Sequence, residues 1–402
     1  MADDQQVIVA GAGPTGLLNA LGLARQGVRV TVVERFPEIP SAPRAPLYHW
    51  SVLEGLERLG VLEDALAAGF TKQDYEYRVR ETGEIVAYGL QCLEGHVKYP
   101  FNLHLGQHRL AEIALQHLER YDNARVLFGH KVTGVSQDDG GVDVTVWSDA
   151  GEHTLHAQWL IGADGAQSAV RKALPVEFDG MTWPERFVAT NLRFPDNREG
   201  WSQTTFYLDG PRGAIIVKID NSGEHGLWRY TWMEDAALPE ETVGERLPGM
   251  LAHVFGEDVA ARCEIVATAP YRMHQRAASS FRADRVLLAG DAAHITNPSG
   301  GLGLTMGLFD SYVLNEAIGA VIAGDADESI LDQYAELRRA AFLDKASPRA
   351  VANKTLIFHS DDPSERDRNL EVFRRMGSDP DLAREVLSFT KTLETPSLIG
   401  AW

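Results

Sequence analysis

Residues 6–34 constrain the fold more than any other stretch of the chain. A short apolar run at 6–10 meets Gly11-Ala12-Gly13-Pro14-Thr15-Gly16 without a gap. Leu17, Leu18, Leu21 and Ala24 then follow at helical spacing as far as Gly27, and a second apolar run at 29–33 ends on Glu34. This predicts a strand, a glycine turn, a helix and a strand closed by an acid. Gly11 permits the tight turn, Gly13 lets a pyrophosphate approach the backbone, and Gly16 lets the helix pack close to the sheet. The helix N-terminus would face the phosphates, and Glu34 could accept from a ribose hydroxyl. Pro14, Thr15 and Arg35 belong to the same candidate site. The pattern predicts an α/β fold of Rossmann-like type and an adenine dinucleotide, with NAD and FAD both open.

Two further junctions have the same grammar. Residues 159–162 read as a buried strand that delivers Ala163-Asp164-Gly165, with Ser168 and Arg171 on a helix behind it. Residues 285–314, RVLLAGDAAHITNPSGGLGLTMGLFDSYVL, run from a buried strand into Gly290-Asp291. A small-residue loop ending Asn297-Pro298-Ser299-Gly300-Gly301 follows, and a helix begins near Leu302. A strand ending in an acid, then glycines, then free N–H groups at a helix start suits an electron-rich ligand.

Between the junctions the texture is antiparallel. Strands are expected at 124–128, 132–136, 142–147 and 153–157, and a sheet rich in aromatics at 187–233. Of Trp201, Phe206, Tyr207, Trp228, Tyr230 and Trp232, one or two are expected to touch a ligand, since aromatics in sheets are mostly core. Ser51 and Glu54 suggest a capping box, and Pro348 is expected to interrupt the helical C-terminal part. Arg44 is either a solvated loop charge or a cation near the phosphates. The division expected is residues 1–75, 100–178 and 271–345 for the dinucleotide, 76–99 and 179–270 for the substrate, and a helical segment at 346–402.

The net charge of -19 disfavours nucleic acid or an anionic membrane surface as a partner. The two cysteines, Cys92 and Cys263, indicate neither a disulfide framework nor a thiolate metal site. The acidic start leaves no room for a signal peptide, and no apolar run approaches bilayer length, so a cytoplasmic enzyme is expected.

Taken together, the three junctions resemble the single-FAD aromatic hydroxylases, the p-hydroxybenzoate hydroxylase-like monooxygenases, over roughly residues 7–338. The resemblance implies an FAD-binding Rossmann-like domain, an inserted antiparallel-sheet substrate domain and a helical tail. Gly11, Gly13 and Gly16 would hold the FAD pyrophosphate and Glu34 the adenosine ribose. Arg44 and Gln107 would neighbour the cofactor, and Asp164 and Gly165 match an element associated with FAD and nicotinamide binding. Gly290 and Asp291 would meet the ribityl chain, and Pro298, Gly300, Gly301, Leu302 and Gly303 the isoalloxazine. NADH or NADPH would reduce FAD, and dioxygen captured as a flavin C4a-hydroperoxide would hydroxylate an electron-rich aromatic substrate, in a monomer or homodimer without metal.

His49, Tyr271 and His294 are candidates for activating the substrate, with Pro298 beside the reacting ring and Tyr207 and Trp232 in its pocket. Thr305, Ser311 and Val313 depart from residues frequent in the family. The alternatives are an epoxidase, halogenase or reductase on the same scaffold, or a flavin- or small-molecule-binding protein without turnover. The halogenase WxWxIP signature is absent.

Overall fold

The computed structural model describes residues 5–40 and 46–400. At its centre Gln5–Ala10 pairs in parallel with Val30–Glu34 on one side and with Gly151–Gly162 on the other. Ala124–Phe128 and Val286–Leu288 extend the parallel sheet outward. These strands are near-continuous apolar runs because both faces are covered. Strand Gly151–Gly162 has two roles. Its first half closes an antiparallel meander with Gly141–Ser148 and Lys131–Asp138, and its second half enters the parallel sheet.

All three glycine junctions emerge at the carboxyl edge of this sheet, where open α/β sheets bind ligands. They also touch. Gly11 N donates to Val33 O at 2.8 Å, Ala163 N to Ala10 O at 2.9 Å, and Ala289 N to Gly162 O at 3.0 Å. A Cβ on Gly11 would collide with the Ala163 carbonyl, and one on Gly16 with the Gly11 carbonyl.

A second sheet grows from two long strands, Phe178–Arg193 and Glu264–Ala278, paired antiparallel over nearly their whole length. Leu227–Asp235, Ala214–Asp220, Thr204–Leu208, Asp74–Val79 and Ile85–Gly89 follow in order. The expected boundaries at 75/76 and 270/271 fall inside strands Asp74–Val79 and Glu264–Ala278. One face of this sheet packs on helix Val243–Phe255. The other packs on the C-terminal helices through Leu356, Ile357, Phe358, Leu370 and Phe373. Pro348 does not break the chain here. It lies in the first turn of helix Ser347–Phe358, which continues from Ser329–Ala341 through a π-helical segment at Phe342–Ala346, and the regular α-helical ladder is interrupted there, just before the proline.

Helix Leu302–Ala323 is buried nearly all round. Contrary to the expectation, it is long and apolar enough to cross a membrane, yet 83% of its most apolar window is buried inside the protein. Asp310, Asn315 and Glu316 hide its length in the sequence. Asp310 is fully buried, and its Oδ2 accepts from Gly290 N at 2.9 Å and from His294 Nε2 at 2.7 Å. Its Oδ1 accepts from Arg338 Nε at 2.8 Å, and Arg338 also donates to Leu393 O at 2.6 Å. Burial pushes the Asp310 carboxyl upward, but His294 and Arg338 outweigh it and hold the pKa below the usual value.

Removing one partner of such a buried ion cluster strands the others. Asp310→Ala is therefore expected to lower unfolding stability by about 3–5 kcal/mol, read by denaturant titration; a loss near zero would contradict it. Because the folded pKa is depressed, the carboxylate's contribution is present above about pH 4 and lost as pH falls through the lower folded value.

Candidate active site

The cofactor-side residues converge. Helix Pro14–Arg25 begins at Gly13 and helix Leu302–Ala323 at Gly301, and neither start has a side-chain cap. Their first-turn N–H groups are therefore open to a ligand. A Cβ on Gly13 would meet nothing within 4 Å, so there is room for a phosphate beside the backbone. Thr15 packs between Gly290 and Gly307, so a Cβ on either would lie within 3 Å of its Oγ1. Gly290 and Gly301 have positive φ, +60° and +68°, which glycine adopts without strain.

The acids differ in role. Glu34 accepts from Ala12 N at 2.8 Å and from Phe36 N at 3.0 Å. It shapes the glycine turn while keeping a lone pair on each oxygen for ribose hydroxyls. Asp164 Oδ2 accepts from Ala169 N at 2.6 Å and Val170 N at 3.2 Å, capping the helix behind it. Its Oδ1 is buried without a partner. Asp291 is exposed at the sheet edge, and Gln107 opens helix Gln107–Leu118. Arg35 lies over the Phe36 ring. Arg44 lies outside the described residues. Uncapped helix starts, space at Gly13 and an orphaned carboxylate oxygen on one sheet edge fit a bound dinucleotide.

On the substrate side, a cavity of about 140 Å3 opens between Leu47–Trp50, the second sheet and the C-terminal helices. Tyr75, Tyr77, Tyr88, Phe206 and Phe373 line it, with His49, Arg349 and Asn353 as polar groups. Gly300 and Leu302 belong to its wall, so the uncapped start of helix Leu302–Ala323 borders the cavity. Burial pushes the Tyr75, Tyr77 and Tyr88 hydroxyls well above their usual pKa, so they stay neutral.

His49 is the one substrate-activating candidate that reaches this cavity. Its Nδ1 lies 2.8 Å from Thr305 Oγ1, and Thr305 Oγ1 donates to Gly301 O at 3.2 Å. In the network where that proton goes to Gly301 O, the hydroxyl accepts from the imidazole. The ring proton is thereby assigned to Nδ1, and Nε2 becomes an acceptor. Burial lowers the His49 pKa to about 4, so the ring is neutral near pH 7. His49 also precedes helix Trp50–Arg58 as its N-cap residue. The capping box expected at Ser51 is not formed: Trp50 N donates to Asn102 Oδ1 at 2.7 Å, and Ser51 Oγ is buried without a partner.

The other candidates lie elsewhere. His294 is consumed by Asp310. Tyr271 is 37% exposed and packs edge-on against Phe187, away from the cavity. Pro298 is partly exposed just before the lining residues. Tyr207 and Trp232 are core residues under helix Val243–Phe255, and of the six aromatics only Phe206 lines the cavity. The reason is strand alternation, which sends Phe206 and Tyr207 to opposite faces. Arg349 and Asn353 escaped the sequence reading; their i, i+4 spacing with Ile357 was the available signal.

The family model described as an FAD binding domain matches residues 4–346. The chain belongs to the FAD-dependent aromatic monooxygenases. It is 41% identical over 398 residues to 6-hydroxy-3-succinoylpyridine 3-monooxygenase of Pseudomonas putida, covering 98% of this chain and 100% of that one. It is 39% identical to para-nitrophenol 4-monooxygenase of a Pseudomonas species, over 95% and 94% of the two chains. The crystal structure of p-nitrophenol 4-monooxygenase from Pseudomonas putida superposes with a TM-score of 0.93 at 37% identity, covering 99% and 100%. The cofactor of this monooxygenase is FAD, and its reaction is hydroxylation of an aromatic substrate.

If Asp291 holds the cofactor through a charge-assisted hydrogen bond, Asp291→Ala should weaken FAD binding about 10- to 100-fold. Flavin content after gel filtration reads this directly, and full retention would reject the role.

Proposed function

We propose that the monooxygenase hydroxylates a ring that already carries a hydroxyl group, and that His49 Nε2 receives that hydroxyl. The observation that carries the reading is the shared wall: Gly300 and Leu302 bound both the uncapped helix start and the cavity that His49 lines. A ring in the cavity would then lie beside the bound cofactor, with an acceptor positioned for its O–H.

Once reduced by NADH or NADPH, bound flavin supplies the means to activate dioxygen and deliver one oxygen atom. The chain's own residues do the rest. His49 Nε2 accepts the hydroxyl proton, which raises electron density on the ring and favours its attack on an electrophilic oxygen. Thr305 keeps Nε2 free by holding the ring proton on Nδ1. The first-turn N–H groups after Gly301 would stabilise negative charge on a flavin bound beside them. The aromatic walls exclude water. By their names, the two relatives act on a hydroxylated pyridine and a nitrophenol, both ring systems with a hydroxyl. The same reading has the enzyme working in the cytoplasm, where nicotinamide reductant is supplied, as a monomer or homodimer.

Purified enzyme should show flavin absorbance, and its NAD(P)H oxidation should be stimulated by phenols with formation of hydroxylated product. Absence of stimulation by any phenol, or NAD(P)H consumption without product, would contradict the proposal. In kcat/KM against pH, the acid limb assigned to His49 should lie near 4 rather than 6.5, because burial favours the neutral ring. His49→Gln should abolish that limb and lower kcat by about 10²–10⁴-fold. Thr305→Val should lower kcat while leaving flavin content unchanged. An unaltered pH profile in His49→Gln would reject the base assignment.

A further inference from the structure

The cavity contains a second polar feature that the reaction does not account for. Helix Ser347–Phe358 turns Arg349, Asn353 and Ile357 toward it, one residue per turn. The Arg349 guanidinium lies 4.2 Å from the centroid of the Phe389 ring. It has no hydrogen-bond acceptor and no carboxylate partner among the described residues. Among the described residues no Asp or Glu lines the cavity, although the chain as a whole carries a charge of -19. Burial works against the charge of this side chain, lowering its pKa. Its situation contrasts with Arg338 and Arg186, whose buried guanidinium groups are paired with Asp310 and Glu234.

Leaving a half-buried guanidinium unpaired is costly unless a ligand completes it. The group is a planar fork of N–H donors, suited to two coplanar oxygens on one atom, and its contact with the Phe389 ring holds it in place. Asn353 donates to Ser299 O at 3.2 Å, which leaves its Oδ1 available beside the fork. On the reading that the cavity receives the hydroxylated ring, we infer that Arg349 is the specificity residue for a planar pair of acceptor oxygens on that ring. A carboxylate or a nitro group would supply them. His49 then takes the hydroxyl and Arg349 the oxygen pair, so the ring is registered by two polar contacts in an otherwise aromatic cavity.

The test is equilibrium binding to FAD-loaded enzyme, followed by perturbation of the flavin visible band. The probes differ in one substituent: 4-hydroxybenzoate, 4-nitrophenol and the neutral amide 4-hydroxybenzamide. Wild type should bind the carboxylate, the nitro compound or both at least about tenfold tighter than the amide, and whichever is preferred identifies the oxygen pair. Arg349→Met should bring the three affinities to within about threefold of one another, and Arg349→Lys, which keeps charge without the fork, should fall between. Absence of preference in wild type, or equal weakening of all three probes in both variants, would overturn the assignment. Where Arg349→Met does not retain flavin, wild type and Arg349→Lys decide. Hydroxylated product without the preference would reject Arg349 alone. The preference without product would leave Arg349 standing and reject the reaction proposed for the cavity.

Discussion

The Asp310 carboxylate, fully buried in the middle of helix Leu302–Ala323, is the contact on which the site depends. One oxygen holds the backbone of Gly290 and the ring of His294, and the other holds Arg338. Gly290 adjoins Asp291, and Arg338 reaches on to the C-terminal segment at Leu393 and Thr395. One anion thus ties the third glycine junction to the helix whose start walls the cavity, and to the segment that closes it. A buried charge is tolerated here because every oxygen is engaged by a donor and two of the donors bear or can bear positive charge.

From that anchor the site is assembled out of distant parts of the chain. The parallel sheet brings three loops to one carboxyl edge. The long strands Phe178–Arg193 and Glu264–Ala278 carry the backbone away from that edge into the second sheet. The last quarter of the chain then returns across the sheet's face and encloses the cavity. Both helix starts are uncapped, one following Gly13 in extended backbone and the other Gly301 at φ +68°. Unsatisfied first-turn N–H groups are locally unfavourable, and they make sense where a negatively charged ligand completes the structure.

The three glycine junctions were legible in the sequence because their determinants are local. Gly11–Gly16, Asp164-Gly165 and Gly290-Asp291 each follow a strand directly, and a short turn between strand and helix leaves few geometries. The substrate side was not legible. Tyr207 and Trp232 were as plausible as Phe206 until strand register fixed which face each occupied. Tyr271 and His49 were indistinguishable until the chain turned one toward the cavity. The C-terminal helices have no motif, yet they supply Arg349, Asn353 and Phe373. Thr305 stood out as a departure from the residue frequent in the family, and its contact with His49 is formed across a separation of 256 positions.

The central claim is that this cavity presents a hydroxylated ring to an oxygen atom derived from dioxygen. Turnover of 4-nitrophenol or 4-hydroxybenzoate with NAD(P)H under ¹⁸O-labelled dioxygen, in unlabelled water, tests it most directly by mass spectrometry of the ring product. The account predicts one labelled oxygen in the newly formed hydroxyl group. Label acquired only from ¹⁸O-labelled water, or reductant consumed with all the oxygen recovered as peroxide, would contradict it.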